Sequence, residues 1–136
     1  MNLPSATPEE GKENLGKAME CYREALKVYR KEEYPVDYAM TQNNLGNAYR
    51  HLPSATPKER RENLRKSMEC YGEALEVWRK DEYPENFCLT AGNLGMSLLD
   101  MDDREGCKWL REAYALREFL PDQGAGVEKI IRELCD

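Results

Sequence analysis

The sequence predicts an all-α fold, a solenoid of about six antiparallel helices forming one domain over residues 1–136. Three observations predict it. The chain is duplicated internally, its apolar residues recur at steps of three and four, and prolines with capping residues punctuate these runs. Composition agrees: 40% of residues are hydrophobic and 34% charged, with 9 Gly and 7 Pro, which favours a helical globular chain over disorder.

The duplication is direct. Leu3-Pro4-Ser5-Ala6-Thr7-Pro8 returns as Leu52-Pro53-Ser54-Ala55-Thr56-Pro57, and Met19-Glu20-Cys21-Tyr22 as Met68-Glu69-Cys70-Tyr71. Tyr34-Pro35 returns as Tyr83-Pro84, and Asn44-Leu45-Gly46 as Asn93-Leu94-Gly95. The offset is 49, and 3–50 aligned with 52–99 gives roughly 28 identities in 48 positions. A third, degenerate copy begins near Asp102 with a shorter lead-in. Such units cannot bury their apolar face alone and stack into one continuous core.

The first helix is predicted over 8–31. Thr7-Pro8-Glu9-Glu10 reads as a capping box with proline at the first helical position. Its apolar stripe is Leu15, Ala18, Met19, Tyr22, Ala25, Leu26 and Tyr29. Tyr34-Pro35 ends this segment, because a residue before proline leaves the α region. It opens a second helix over 36–51, with Tyr38, Thr41, Leu45, Ala48 and Tyr49, and Leu52 just beyond. The third helix, 57–80, repeats the first, with the box Thr56-Pro57-Lys58-Glu59 and the stripe Leu64, Ser67, Met68, Tyr71, Ala74, Leu75, Trp78. The fourth, 85–101, repeats the second, with Phe87, Thr90, Leu94, Ser97, Leu98 and Met101. Asp102-Asp103-Arg104-Glu105 reads as a third box opening a helix over 103–119, with Leu110, Ala113, Leu116 and Phe119. Pro121-Asp122 opens the last, 122–135, with Val127, Ile130, Ile131 and Leu134.

A net charge of −6 argues against nucleic acid or an anionic membrane as partner, since both reward clustered Lys and Arg. The uncharged stretch Phe87 to Leu99 is too short to span a bilayer, and Met1-Asn2-Leu3-Pro4 lacks the regions of a signal peptide. Five cysteines, Cys21, Cys70, Cys88, Cys107 and Cys135, make no CxxC pair, and His51 is the single histidine, so no zinc-site spacing exists. The cysteines fall within predicted helices and read as small buried hydrophobes in a reducing, cytoplasmic setting. No GxSxG, HExxH, P-loop or Rossmann fingerprint is present. His51 reads as a helix C-terminal cap or dipole partner, and Glu32-Glu33 and Asp102-Asp103 as solvated helix ends. The expectation is a chain that is not an enzyme and needs no cofactor.

Asn44-Leu45-Gly46-Asn47-Ala48-Tyr49, followed by Ser67-Met68-Glu69-Cys70-Tyr71-Gly72-Glu73-Ala74-Leu75, resembles the tetratricopeptide repeat, W-x2-L-G-x2-Y then A-x3-F then A and P. Leu45, Gly46 and Tyr49 match its first helix; Ser67, Tyr71, Ala74 and Pro84 match its second and the exit. In the next copy Leu94 and Gly95 match, Leu98 replaces the Tyr, and Gly106, Leu110 and Ala113 correspond to the second helix. Gly46 and Gly95 lack a Cβ and let a neighbouring helix approach, and Ala25 and Ala74 do the same on the partner helix. The period is 49, not 34, and Gln42 and Ala91 take the Trp place, as in the long-period bacterial and archaeal variety. The resemblance implies a right-handed α-solenoid. It also implies a protein–protein interaction scaffold whose first-type helices line a concave groove.

By the alignment, Met1 and Asn2 stand where Arg50 and His51 stand. The expectation is a segment of a longer array. It comprises an unmatched second-type helix 8–31, repeats 36–80 and 85–119, and an unmatched first-type helix 122–135, which serves as the polar cap of the array with Glu128, Lys129, Arg132 and Glu133 on one side.

On this register the groove residues are Met40, Asn43, Asn44, Asn47, Arg50 and His51, joined by Leu89, Asn93, Met96, Leu99 and Asp100. Asn side chains can bond a peptide backbone without reading its sequence, and Met and Leu give an adaptable apolar floor. The expected partner is a peptide or protein segment. The competing reading places Leu89 and Leu99 in the core and makes the Asn residues structural. A carboxylate clamp built on Asn47, Asn93 and Lys129 is poorly served, because Asn43 takes the other Lys place and Glu133 brings the wrong sign. The alternative function is a structural spacer or self-association module whose unmatched terminal helices pair between chains.

Overall fold

The computed structural model describes residues 7–136, and in them six α-helices follow one another, each packed chiefly on its neighbours in sequence. They are α1 (Pro8–Val28), α2 (Pro35–His51), α3 (Pro57–Val77), α4 (Pro84–Asp100), α5 (Glu105–Ala115) and α6 (Ala125–Leu134). Leu3 to Ala6 of the first lead-in, and the register assigned to Met1 and Asn2, lie outside the described residues. No helix among the described residues is long and apolar enough to cross a membrane.

Proline opens α1 to α4 where the sequence places it, since a missing N–H costs nothing in the first turn. Both α1 and α3 stop three residues short of expectation, for the same reason. Tyr29 and Trp78 leave helical backbone at ψ 83° and 70°, and Tyr34 and Tyr83 N–H groups close a turn on Arg30 and Arg79 carbonyls at 2.8 Å. The aromatics meet edge to face across that turn, Tyr29 with Tyr34 at 5.6 Å and Trp78 with Tyr83 at 4.9 Å. Each repeat therefore turns its corner on an aromatic pair.

The three caps differ. Thr7 and Glu10 form the full reciprocal box. Thr56 accepts from the Glu59 N–H at 3.1 Å, but the Glu59 carboxylate takes the Ala55 N–H at 3.0 Å, so this box is half made. Thr56 sits at φ −135° against −68° for Thr7, which turns its own N–H away. The third box is not formed. Asp102 adopts left-handed backbone at φ 58°, and Asp102 and Asp103 N–H groups return to Leu99 and Leu98 carbonyls at 2.9 Å, closing α4 in a Schellman pattern. Asp103 Oδ1 then accepts from the Glu105 N–H at 2.9 Å, and α5 starts at Glu105 rather than 103.

The end of the chain departs furthest from expectation. After α5 come two short 3₁₀ turns, Arg117–Phe119 and Pro121–Gly124. Asp122, Gln123 and Gly124 all hold positive φ (51°, 56° and 76°), so a right-handed helix cannot begin before Ala125.

The core runs along the stack. Met19, Leu45, Ala48, Tyr49 and Cys70 join α1, α2 and α3. Tyr71, Leu94 and Leu98 join α3 to α4, and Cys88, Ala91 and Ala113 join α4 to α5. Leu110 and Ile131 carry the core into α6. Glycine sets the closest approaches: a Cβ on Gly46 would stand 2.8 Å from the Tyr71 ring, and one on Gly95 would stand 2.9 Å from the Gly106 carbonyl oxygen.

The cysteines correct the sequence reading in two places. Cys107 of α5 and Cys135 beyond α6 are joined in a disulfide, with Cα atoms 5.7 Å apart, and Cys21 is exposed. Cys70 and Cys88 are buried free thiols. With a disulfide present, the reducing setting loses the support that five free thiols gave it. Nothing in the 28-residue spacing of Cys107 and Cys135 signals the pair; the packing of α6 on α5 brings them together.

Candidate functional site

The predicted groove residues lie on α2 and α4, which are held side by side. Both pack on α3, and Thr90 Oγ1 of α4 donates to Asn43 Oδ1 of α2 at 3.2 Å. Thr90 is buried, so this bond also satisfies a hydroxyl that would otherwise be costly to bury.

The 49-residue offset pairs positions on the two helices. Met40 corresponds to Leu89, and they are exposed at 52% and 41%. One turn further along, Asn44 corresponds to Asn93, exposed and half-buried respectively. The same apolar-then-Asn pair, four residues apart and therefore on one face, stands on both helices.

The remaining predicted residues divide. Asn47 is half-buried, and its Oδ1 accepts from the Tyr71 hydroxyl at 2.5 Å, so it latches α2 to α3. Burial pushes the Tyr71 phenol well above its ordinary pKa and keeps that donor protonated. Met96 and Leu99 are half-buried and pack on the Cys107–Leu110–Ile131 cluster beneath α6. His51 is exposed, and its Nδ1 donates to the Asn47 carbonyl at 2.8 Å within its own helix.

Arg50 stands at the C-terminal end of α2, facing the Asp100 carboxylate at 3.8 Å. Arg60 reaches the same carboxylate at 3.3 Å and donates to the Arg50 carbonyl, tying the ends of α2, α3 and α4. Arg50 Nε is buried and makes no hydrogen bond, the Asp100 carboxylate at 3.8 Å being its nearest counter-charge. Further along α3, the Tyr38 hydroxyl donates to Glu73 Oε2 at 2.6 Å. Burial first, and that bond second, raise the Tyr38 phenol above its ordinary range.

Sequence reasoning missed a second surface. A cleft of about 700 Å³ opens between α3 and α5, floored by Leu75, Phe87 and Trp109 and bridged by Lys80 with Glu112 at 3.3 Å. The available signal was Trp109, which falls one residue outside the Leu110–Ala113 stripe.

No group of three or more His, Cys, Asp or Glu among the described residues could hold a metal ion. No family model, no curated protein and no solved structure matches this chain.

Proposed function

We propose that the chain is a right-handed solenoid of tetratricopeptide type and a non-catalytic scaffold, binding a peptide or protein segment across α2 and α4. One observation carries this reading: the exposed Met40 and Asn44 pair of α2 recurs as Leu89 and Asn93 on α4. An extended segment crossing both helices meets the same apolar contact and the same amide twice. That suits recognition in which backbone bonds supply affinity and two side-chain pockets supply register. Sequential helix packing, the glycine crossings at Gly46 and Gly95, and the repeated aromatic corner support the repeat assignment. The alternative, pairing of α1 with α6 between chains, is opposed by α6, whose outward side carries Lys129, Arg132 and Glu133.

The test is selection from a displayed library of random peptides. Peptides that enrich should lose about tenfold or more in affinity on Met40→Glu with Leu89→Glu. Both side chains are exposed, so the melting temperature should stay within about 2 °C. Peptides that bind the double variant equally well, or lose binding on Trp109→Ala instead, move the site to the α3–α5 cleft and overturn the reading.

A further inference from the structure

One flank of α3 is covered by α2. Gly46 seats against the Tyr71 ring, the Tyr71 hydroxyl reaches Asn47, and Ala74 and Trp78 cluster with Ala39. The helices run antiparallel, 46 meeting 71 while 39 meets 78.

Helix α1 carries the same flank 49 residues earlier. Cys21, Tyr22, Ala25, Val28 and Tyr29 stand for Cys70, Tyr71, Ala74, Val77 and Trp78. On one side the match is complete: Tyr22 packs on the cluster of Leu45 and Tyr49, as Tyr71 does with their counterparts Leu94 and Leu98. On the other side, nothing among the described residues does for α1 what α2 does for α3. Cys21 is exposed where Cys70 is buried, and Tyr29 is 36% exposed where Trp78 is 2%. Val28 is 64% exposed. The Tyr22 hydroxyl has no hydrogen-bond partner among the described residues, and a shallow apolar groove runs past Cys21, Ala25, Val28 and Tyr29, with Glu20 and Glu24 along one edge.

We propose that this flank of α1 is a docking surface for a partner helix that carries the pattern of α2, a small residue followed seven positions later by Gly-Asn, laid antiparallel. Each feature answers a group on α1. The glycine admits the Tyr22 ring, as Gly46 admits Tyr71. The Asn accepts from the Tyr22 hydroxyl, as Asn47 accepts from Tyr71. The small residue lies over Ala25 and Tyr29, as Ala39 lies with Ala74 and Trp78. A hydroxyl one position before it reaches Glu24, as Tyr38 reaches Glu73. Helix α6 of a second copy does not meet these requirements, because its outward Lys129, Arg132 and Glu133 would lose their water against Val28 and Ala25. The surface is separate from the α2–α4 face and stands whether or not that face binds a peptide.

The experiment supplies the helix covalently. A duplicate of residues 35–51 is joined directly to Leu3 of the full chain, since 3–8 repeats the 52–57 sequence that follows α2. The readouts are the rate at which the native protein reacts with an aromatic disulfide reagent, and mass by light scattering. Cys70 and Cys88 are buried and Cys107 is bonded to Cys135, so the fast thiol is Cys21. The extension should slow that thiol about tenfold or more. The same extension with Gly46→Leu in the added copy should restore the parental rate. An unchanged rate in the first extension overturns the proposal. So does a parent chain whose Cys21 becomes protected as its mass doubles with concentration, which gives the flank to a second copy.

Discussion

Gly95 and Gly106 meet where α4 crosses α5, each with its carbonyl oxygen in the space that a side chain on the other would occupy. A Cβ on Gly95 would also stand 2.9 Å from Leu110 Cγ. Alanine is favoured over glycine inside a helix by roughly 0.5–1 kcal/mol, yet here two backbones would have to part. Gly106→Ala should therefore destabilise by about 2 kcal/mol in net terms. Gly92→Ala, whose Cβ would meet only Ala113 at 4.0 Å, should instead stabilise by about 0.5–1 kcal/mol. Urea unfolding of the two variants checks the contrast, and equal effects would remove the crossing as the reason for the glycine.

Those crossings were legible because glycine inside a helical stripe contradicts local propensity and so points to packing. The starts of α1 to α4 were legible because proline states them locally. The Asp122–Gly124 segment was not: Asp122 and Gln123 are exposed and take positive φ although they are not glycine, Gly124 packs against Arg117 and Tyr114, and no residue type announces that. The disulfide was hidden for a related reason, since pairing follows from how α6 lands on α5. On the site, spacing placed the Asn residues on α2 and α4. It could not say that Thr90 and Tyr71, from other helices, would engage Asn43 and Asn47.

Asn47→Ala should therefore act on stability. It strands the Tyr71 hydroxyl, whose residue is fully buried, at a cost of about 1–3 kcal/mol. The sequence alone suggests that Asn47→Ala with Asn93→Ala would leave stability nearly unchanged; the structure revises this for Asn47. Tyr71→Phe with Asn47→Leu, which removes both polar partners, should recover part of the loss. Thermal melts of the single and double variants decide it, and additive losses would count against the latch.

The Cys107–Cys135 bond closes a separation of 28 residues, for which the chain-entropy treatment gives about 3.5 kcal/mol. Both residues are buried beside Leu110 and Ile131. Cys107→Ser with Cys135→Ser should release α6 first. Amides of 125–134 should exchange much faster with deuterium, while those of α2 to α4 keep their protection. Uniform acceleration along the chain would mean that α6 is integral to the core and has no separate stability.

Alkaline pH should weaken the fold through its buried thiols and phenols. Burial, with the Glu69 carboxylate second, pushes the Cys70 thiol from its ordinary 9.0 up to about 12; the Cys88, Tyr71 and Tyr38 groups shift upward as well. Below pH 9 the thiol is protonated in both folded and unfolded chains, so its contribution to stability is fully present. Between pH 9 and 12 the unfolded chain gives up the Cys70 proton and the folded chain keeps it. Unfolding is thus favoured as pH rises, by up to about 1.4 kcal/mol per pH unit for one such group. Stability measured in urea should be flat from pH 7 to 8.5 and fall above 9. Cys70→Ala costs about 1 kcal/mol at pH 7 for the lost sulfur, but its decline between pH 9 and 11 should be shallower by about 1 kcal/mol per unit. Both proteins are best compared in a Cys21→Ser background, because an exposed thiolate at high pH would attack the Cys107–Cys135 disulfide. Parallel pH curves would show that Cys70 titrates alike in both states, and that its burial does not persist in solution.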